Sequence, residues 1–330
     1  MIENEHNRFG SARFASQAEI AAAGLFEKTP FSIFWGFAFG RALYTDSPAG
    51  GVVTAGARAG KMRDWLSYNI LSGTCTHTIV MLDLKGEGAY LSQDQTADGK
   101  FVAYWNPAAL HGLHQDRINP VDHLTIGSPT LVSDVKVFCE NLIATSGSAQ
   151  GVYFEGRARE ALEAVILTLV ELFGVLTFPD LYRIVNLIAA NNDDWLNFAY
   201  EMSISRFPIS RRIEAEIAAS RASSSDAWNG ILGEIYKSLS CLSDPVLMAS
   251  VSPPYSMSLS QLCDSDQAWQ LYIMPPAEYV GAWAPIIKSF FVCAMTYKSR
   301  SPAAPRQTWF LDECGQIASG PSSGFPLIPK

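Results

Sequence analysis

The sequence predicts an α/β fold interrupted by an all-helical insertion. Three observations carry that reading: a strand, glycine loop and helix pattern around Lys61, short apolar runs bounded by turn residues near both ends, and a helix-period stretch between them. The 330 residues are 48% hydrophobic and 17% charged, which supplies a large core and excludes a mostly disordered chain. A formal net charge of −8 argues against a freestanding protein that coats nucleic acid, because such proteins neutralise phosphates with excess Lys and Arg. It leaves room for a locally basic pore within an assembly.

The elements follow in order. Residues 51–55 form a small β-rich run, followed by a glycine-bearing loop and a helix from Lys61 to about Leu71. Residues 78–82 are a continuous apolar run between His77 and Asp83, as expected of a strand buried on both faces of a parallel sheet. From about Ser133 to Met248 the pattern is helical, with helices at 131–144, 155–176, 178–190, 195–202, 211–221 and 225–239. Thr177 before Pro179-Asp180 has the form of a helix start. A strand at 269–274 is stopped by Pro275-Pro276, a helix covers 283–297, and a last buried strand at 308–311 ends in Asp312-Glu313. The expected division is a nucleotide-binding part at 1–130, an all-α insertion at 131–249 and the second nucleotide-binding part at 250–330.

The six cysteines, Cys75, Cys139, Cys241, Cys263, Cys293 and Cys314, are scattered with no CxxC pair, which points to a reducing cytoplasm. The opening Met1-Ile2-Glu3-Asn4-Glu5 is polar and acidic, unlike a secretory signal. Two apolar runs fall short of the roughly 20 residues a membrane span needs. Residues 31–39 end at Gly40-Arg41, and 161–176, interrupted by Glu163 and Glu171, reads as a buried helix. The expectation is a chain with no membrane span.

Residues 55–62 sit where a phosphate-binding Walker A loop belongs, with Gly56, Ala57, Arg58, Ala59, Gly60, Lys61 and Met62 as candidate nucleotide-binding residues. Backbone N–H groups at a helix N-terminus carry partial positive charge, and flanking glycines let the backbone approach a phosphate. Lys61 would then reach the β and γ oxygens. Ala55 stands where the general pattern has Gly, and Met62 where it has Ser or Thr. A thioether is a poor ligand for Mg2+. An ordinary glycine-rich turn is the alternative reading.

Asp312-Glu313 supplies what such a loop requires elsewhere in the chain. One carboxylate holds magnesium and the next orients or deprotonates the attacking water, so Asp312 is the candidate metal ligand and Glu313 the candidate catalytic residue. A solvated strand terminus is the alternative. Asp83-Leu84-Lys85-Gly86-Glu87 ends the strand after the loop helix. Strand C-termini in open α/β sheets line the ligand crevice, so Asp83, Lys85 and Glu87 are candidates for the crevice or a subunit interface. A polar turn around Gly86 is the alternative. His111 and His114 lack partners at metal-site spacing and read as incidental loop residues.

With these residues in place, the chain resembles the type IV secretion coupling proteins, the VirD4/TraG conjugative DNA-transfer ATPases, over nearly its whole length. Gly10-Ser11-Ala12-Arg13-Phe14-Ala15 resembles the family's "GSARWA", Arg58-Ala59-Gly60-Lys61 its "TRSGKG" loop, and Asp83–Glu87 its "DPKGE", with Leu84 replacing proline. The family often has glycine after the loop lysine, so the hydroxyl missing at Met62 is less of a departure here. Asn119-Pro120-Val121-Asp122 resembles "NPLD", Tyr153-Phe154 with Ala158-Arg159 the aromatic and "AR" positions, Met274-Pro275-Pro276 "VPP", and Leu311-Asp312-Glu313 the "LLDE" Walker B.

The resemblance implies a RecA-like P-loop domain with an inserted all-α domain, ATP and Mg2+ as cofactors, and assembly as a homo-hexamer. It places members at the cytoplasmic face of the bacterial inner membrane, this chain by itself being cytoplasmic. There they recruit relaxase with single-stranded DNA, or effector proteins, to the type IV secretion machinery and drive transfer by ATP hydrolysis. Members usually begin with membrane-spanning helices and continue beyond Walker B. This chain is expected to lack both, with its sheet incomplete at the C-terminal side. The alternative function is a non-hydrolysing substrate-docking module, or a decayed or truncated copy.

Overall fold

The computed structural model describes residues 13–56, 58–71, 77–93, 99–146, 149–190, 192–222 and 226–312. A short helix, α1 (Gln17–Ala22), opens it, with Ser16 and Glu19 capping each other reciprocally. An antiparallel hairpin of β1 (Ile33–Ala38) and β2 (Arg41–Thr45) follows. Its turn, Phe39-Gly40, takes φ of 53° and 70°, and positive φ at both positions suits the right-handed twist of the strands it joins.

Residues 51–56 are exposed and belong to no strand among the described residues, contrary to the strand expected at 51–55. Three β-branched residues between glycines offer no apolar face to bury, and strand propensity is realised only against a packed neighbour. The helix expected from Lys61 to Leu71 is present but starts wide: Lys61–Leu66 is wound as a π-helix and continues as α2 (Ser67–Leu71). Next come β3 (Ile79–Leu82), α3 (Glu87–Leu91) and β4 (Phe101–Trp105).

Among the described residues seven α-helices then run without an intervening strand: α4 (Leu131–Leu142), α5 (Ala149–Phe173), α6 (Phe178–Ala190), α7 (Asp193–Ile204), α8 (Pro208–Ala222), α9 (Asp226–Leu239) and α10 (Pro245–Ser250). The Thr177 cap forms as expected, its Oγ1 accepting from the N–H of Asp180 at 3.2 Å. α5 is the hub. Its residues 161–170 are all buried, and α4, α6, α7, α8 and α9 pack around it, which is why its sequence lacks a polar stripe through this stretch. Finally β5 (Trp269–Ile273), α11 (Val280–Arg300) and β6 (Thr308–Leu311) return the chain to the sheet.

The sheet has the order β4-β5-β3-β6, with all three pairings parallel. Side chains alternate between its faces. Val80, Leu82, Ala103, Trp105, Leu271 and Ile273 join the large core shared with α11 and the helical segment. Ile79, Met81, Tyr104, Tyr272 and Phe310 point the other way, into a smaller cluster with Leu66 and Ile70. The segment Ala277–Arg300 is long and apolar enough to cross a membrane by length and composition. In the structure its residues Ile286, Ile287, Phe290 and Phe291 are buried in the large core.

Candidate functional site

Parallel strands end on one edge, so residues that follow register partners meet there. Leu82 pairs with Leu311, which sets Asp83 beside Asp312. Asp83 is 1% exposed, and its Oδ2 accepts from the N–H of Ala89 at 2.9 Å. Burial holds its carboxyl above the usual range and the Asp312 carboxylate adds to that, against hydrogen bonds from the N–H groups of Ala89, Gly88 and Gly86. Two carboxylates that follow β3 and β6, strands far apart in sequence, thus share one corner of the sheet.

The turn after β3 is built for close contact. Gly86 has φ of 68°, and a Cβ there would meet His111 Cδ2 and Met274 Cε at 2.9 Å each, so only glycine fits. Lys85 is exposed, and its carbonyl accepts from His111 Nε2 at 2.8 Å, while the His111 ring stacks on Tyr90 with centroids 5.1 Å apart. Glu87 is exposed in the first turn of α3. His111, read as incidental from sequence, is therefore a buttress of the Asp83–Glu87 turn. Nothing in the linear spacing ties it there, because the contact depends on β4 lying two strands away.

In the loop, Gly56 is exposed and its carbonyl accepts from the N–H of Ala59 at 3.2 Å. Arg58 has φ of 61° and Gly60, the residue capping the helix, φ of 85°. Lys61 opens the helix half-buried, and Asp64 N–H donates to the Gly60 carbonyl at 2.7 Å. Met62 is half-buried and packs against the smaller cluster, so its thioether is committed to apolar neighbours. The Lys61–Leu66 turn packs against α3. The helix that Lys61 opens thus contacts the helix that follows the Asp83 turn. Ala57 and Glu313 fall outside the described residues.

Behind the loop, the helix is fastened to the hairpin. The Phe34 N–H donates to Asn69 Oδ1 at 2.8 Å, and Asn69 Nδ2 donates to the Phe34 carbonyl at 3.1 Å. Trp65 lies between Trp35 and Phe310, with centroids 5.4 and 6.0 Å away.

Other sequence motifs have structural work. Asp122 accepts from Ser258 Oγ at 2.7 Å, from the Leu259 N–H at 3.2 Å and from Cys293 Sγ at 3.1 Å, while Asn119 Nδ2 donates to the Leu176 carbonyl at 2.8 Å. This segment ties the start of the helical region to its exit and to α11. Arg159 donates to the Ile143 carbonyl at 2.8 Å and to Thr145 Oγ1 at 2.7 Å, closing the C-terminal end of α4.

Chemically, the candidate set is a glycine-bearing loop opening a helix, a lysine and, at the sheet edge, a pair of hard carboxylate donors. Among the described residues no group of three or more His, Cys, Asp and Glu side chains comes together. A divalent cation here would take one or two carboxylates and complete its shell with other oxygens, the habit of Mg2+ beside phosphates. The donor set fits that ion, with Met62 contributing nothing to it.

A family model described as "Type IV secretory system Conjugative DNA transfer" matches residues 4–318. Among solved structures, "Bacterial conjugative coupling protein TrwBdeltaN70" in its unbound monoclinic form aligns with 14% identity and a TM-score of 0.43, covering 91% of this chain and 63% of that one. "Plasmid coupling protein TrwB in complex with ADP and Mg2+" aligns with 15% identity, a TM-score of 0.42 and the same coverages. The complex of that protein with the ATP analogue ADPNP gives 17%, 0.40, and 73% of this chain against 57% of that one. The chain thus spans about 63% of the length of the first two. No curated protein matches it.

Proposed function

We propose that this chain, which belongs to the type IV secretory system conjugative DNA transfer family, binds ATP with Mg2+ and uses its hydrolysis to pass cargo into a type IV secretion channel. The observation that carries the reading is the juxtaposition of Asp83 and Asp312 at the sheet edge, with the Lys61–Leu66 turn packed against α3. Gly56, Arg58, Ala59 and Gly60 present backbone to the phosphates, with Ala57 completing the loop in sequence. Lys61 balances the charge of the terminal phosphates. Asp312 holds the ion directly or through water, and Asp83 and the turn through Lys85 and Glu87 fix its position. Glu313 orients and deprotonates the attacking water. Bound Mg2+ supplies charge neutralisation on the phosphates.

In this reading the cargo is relaxase with single-stranded DNA, or effector proteins, the working assembly is a homo-hexamer, and the place is the cytoplasmic face of the bacterial inner membrane. The test is ATP turnover by the wild-type chain, Lys61→Ala and Glu313→Gln. Turnover that both substitutions abolish supports the reading. Turnover that survives Lys61→Ala overturns it.

Met62, packed into the apolar cluster where a hydroxyl would face magnesium, favours a second reading, a substrate-docking module that does not hydrolyse ATP. Capture of cargo that persists in a Lys61→Ala, Glu313→Gln double variant supports that alternative. Capture lost in the double variant counts against it.

A further inference from the structure

We propose that the Arg63–Asp64 pair is a built-in competitor for the phosphate loop: Asp64 holds the approach to Gly60 until a phosphate takes Arg63 from it. The inference rests on the reading of this loop as the phosphate site.

Side chains on a helix lean toward its N-terminus, so Asp64, one turn beyond Gly60, covers the loop end rather than the helix flank. The fit is close. A Cβ on Gly60 would collide with Asp64 Oδ2 and would lie 3.0 Å from its Cγ and 3.3 Å from Arg63 Nη2. Glycine at this position therefore does two things. It adopts φ of 85°, and it leaves the room into which the carboxylate folds.

Arg63 grips that carboxylate with both arms, Nε to Oδ1 at 2.6 Å and Nη2 to Oδ2 at 2.8 Å. Consecutive residues do not face each other on a regular α-helix. The fork forms where the backbone is wound as a π-helix. Both side chains are exposed, at 83% and 55%, so the pair is held by its own contact and not by surrounding packing. A phosphate offers Arg the same two-pronged geometry with more negative charge.

Two consequences follow for any polyphosphate. It meets a fixed negative charge beside Gly60, and it gains Arg63 only by releasing Asp64. An acidic residue in a first helical turn also has a plain structural use, since it complements the helix dipole. The two roles predict opposite results. If Asp64 only supports the helix, neutralising it leaves ATP binding unchanged or weakened. If it competes, neutralising it tightens binding.

The experiment is equilibrium binding of ATP in the presence of Mg2+ to the wild-type chain, Asp64→Asn, Arg63→Gln and Lys61→Ala, with thermal unfolding of each to verify the fold. Asp64→Asn is expected to bind roughly fivefold more tightly, the size of one screened charge contact. Arg63→Gln is expected to bind more weakly by a similar factor. Added salt should shrink the difference between wild type and Asp64→Asn. Equal or weaker binding by a folded Asp64→Asn chain overturns the competitor role and leaves the nucleotide site standing. Absence of binding by a folded wild-type chain overturns both.

Discussion

The two faces of the parallel sheet are covered very differently. On one, Trp105, Leu82 and Ile273 merge with α11 and the helical segment into a single large core. On the other, Met81, Tyr104, Tyr272 and Phe310 are covered by the π-wound turn and α2, with the aromatic hairpin behind them. Met62 packs on the thinly covered side, and Asp83 and Asp312 follow the strand ends at the edge. The larger buried core lies on the first face, and the candidate loop helix packs on the smaller one, where fewer buried apolar contacts make local opening less costly.

The deepest break in this contrast should come from Trp105→Ala. The indole is fully buried, its ring 4.7 Å from that of Phe290, and its Nε1 donates to Ser250 Oγ at 3.0 Å. Truncation should cost about 3–5 kcal/mol, read by denaturant unfolding. A loss below about 1 kcal/mol would mean the large face is not the stability centre.

Acid should strain both sides through buried histidines. His77 sits between the hairpin side and β6, with Nδ1 2.9 Å from the Pro30 carbonyl and Nε2 2.7 Å from Thr308 Oγ1. The carbonyl only accepts, so Nδ1 carries the proton and Nε2 accepts from the threonine. Burial pulls the pKa of His77 down to about 4 from 6.5, and burial does the same to His123 in the large face's flank. Each is neutral when folded and gains its proton more readily when unfolded. Their contribution is therefore complete above pH 6.5 and is lost as pH falls from 6.5 toward 4. At most about 3 kcal/mol rides on each group. Unfolding free energy measured across that window should fall steeply in the wild type and less steeply in His77→Gln.

A smaller and more local effect is expected of Asn69→Ala, which removes both bonds between the loop helix and Phe34. The cost should be about 1–3 kcal/mol, and amide exchange at Phe34 should quicken while exchange in α5 stays slow. Equal quickening in both would show that the two faces open together. Least of all, Glu216→Gln weakens the half-buried surface network with Arg157 and Arg212 on α5 and α8, and a change of about 1 kcal/mol or less is expected in thermal unfolding.

The large face was the legible one. Long helix-period stretches and short apolar strands at 78–82, 269–274 and 308–311 announce themselves, and Thr177 and Pro275 mark their limits. The hairpin was not, because its turn places Phe39 at positive φ, a position sequence rules reserve for Gly or Asn. β4 went unread between polar neighbours and a short aromatic run. The run at 51–55 has strand composition but nothing to pair with among the described residues. At the site, spacing singled out Lys61, Asp83 and Asp312, yet the meeting of Asp83 with Asp312 depends on the register of strands far apart in the chain. The Arg63–Asp64 fork depends on π winding, which no propensity scale encodes.

The central claim is that the Lys61 loop and the Asp312 strand end are two sides of one nucleotide site. The most direct measurement is ATP affinity with and without Mg2+ for the wild-type chain and for Asp312→Asn, both verified as folded. The account predicts that Mg2+ tightens ATP binding in the wild type and that this gain is lost in Asp312→Asn, while binding without the ion is kept. An equal gain from Mg2+ in both chains would contradict it.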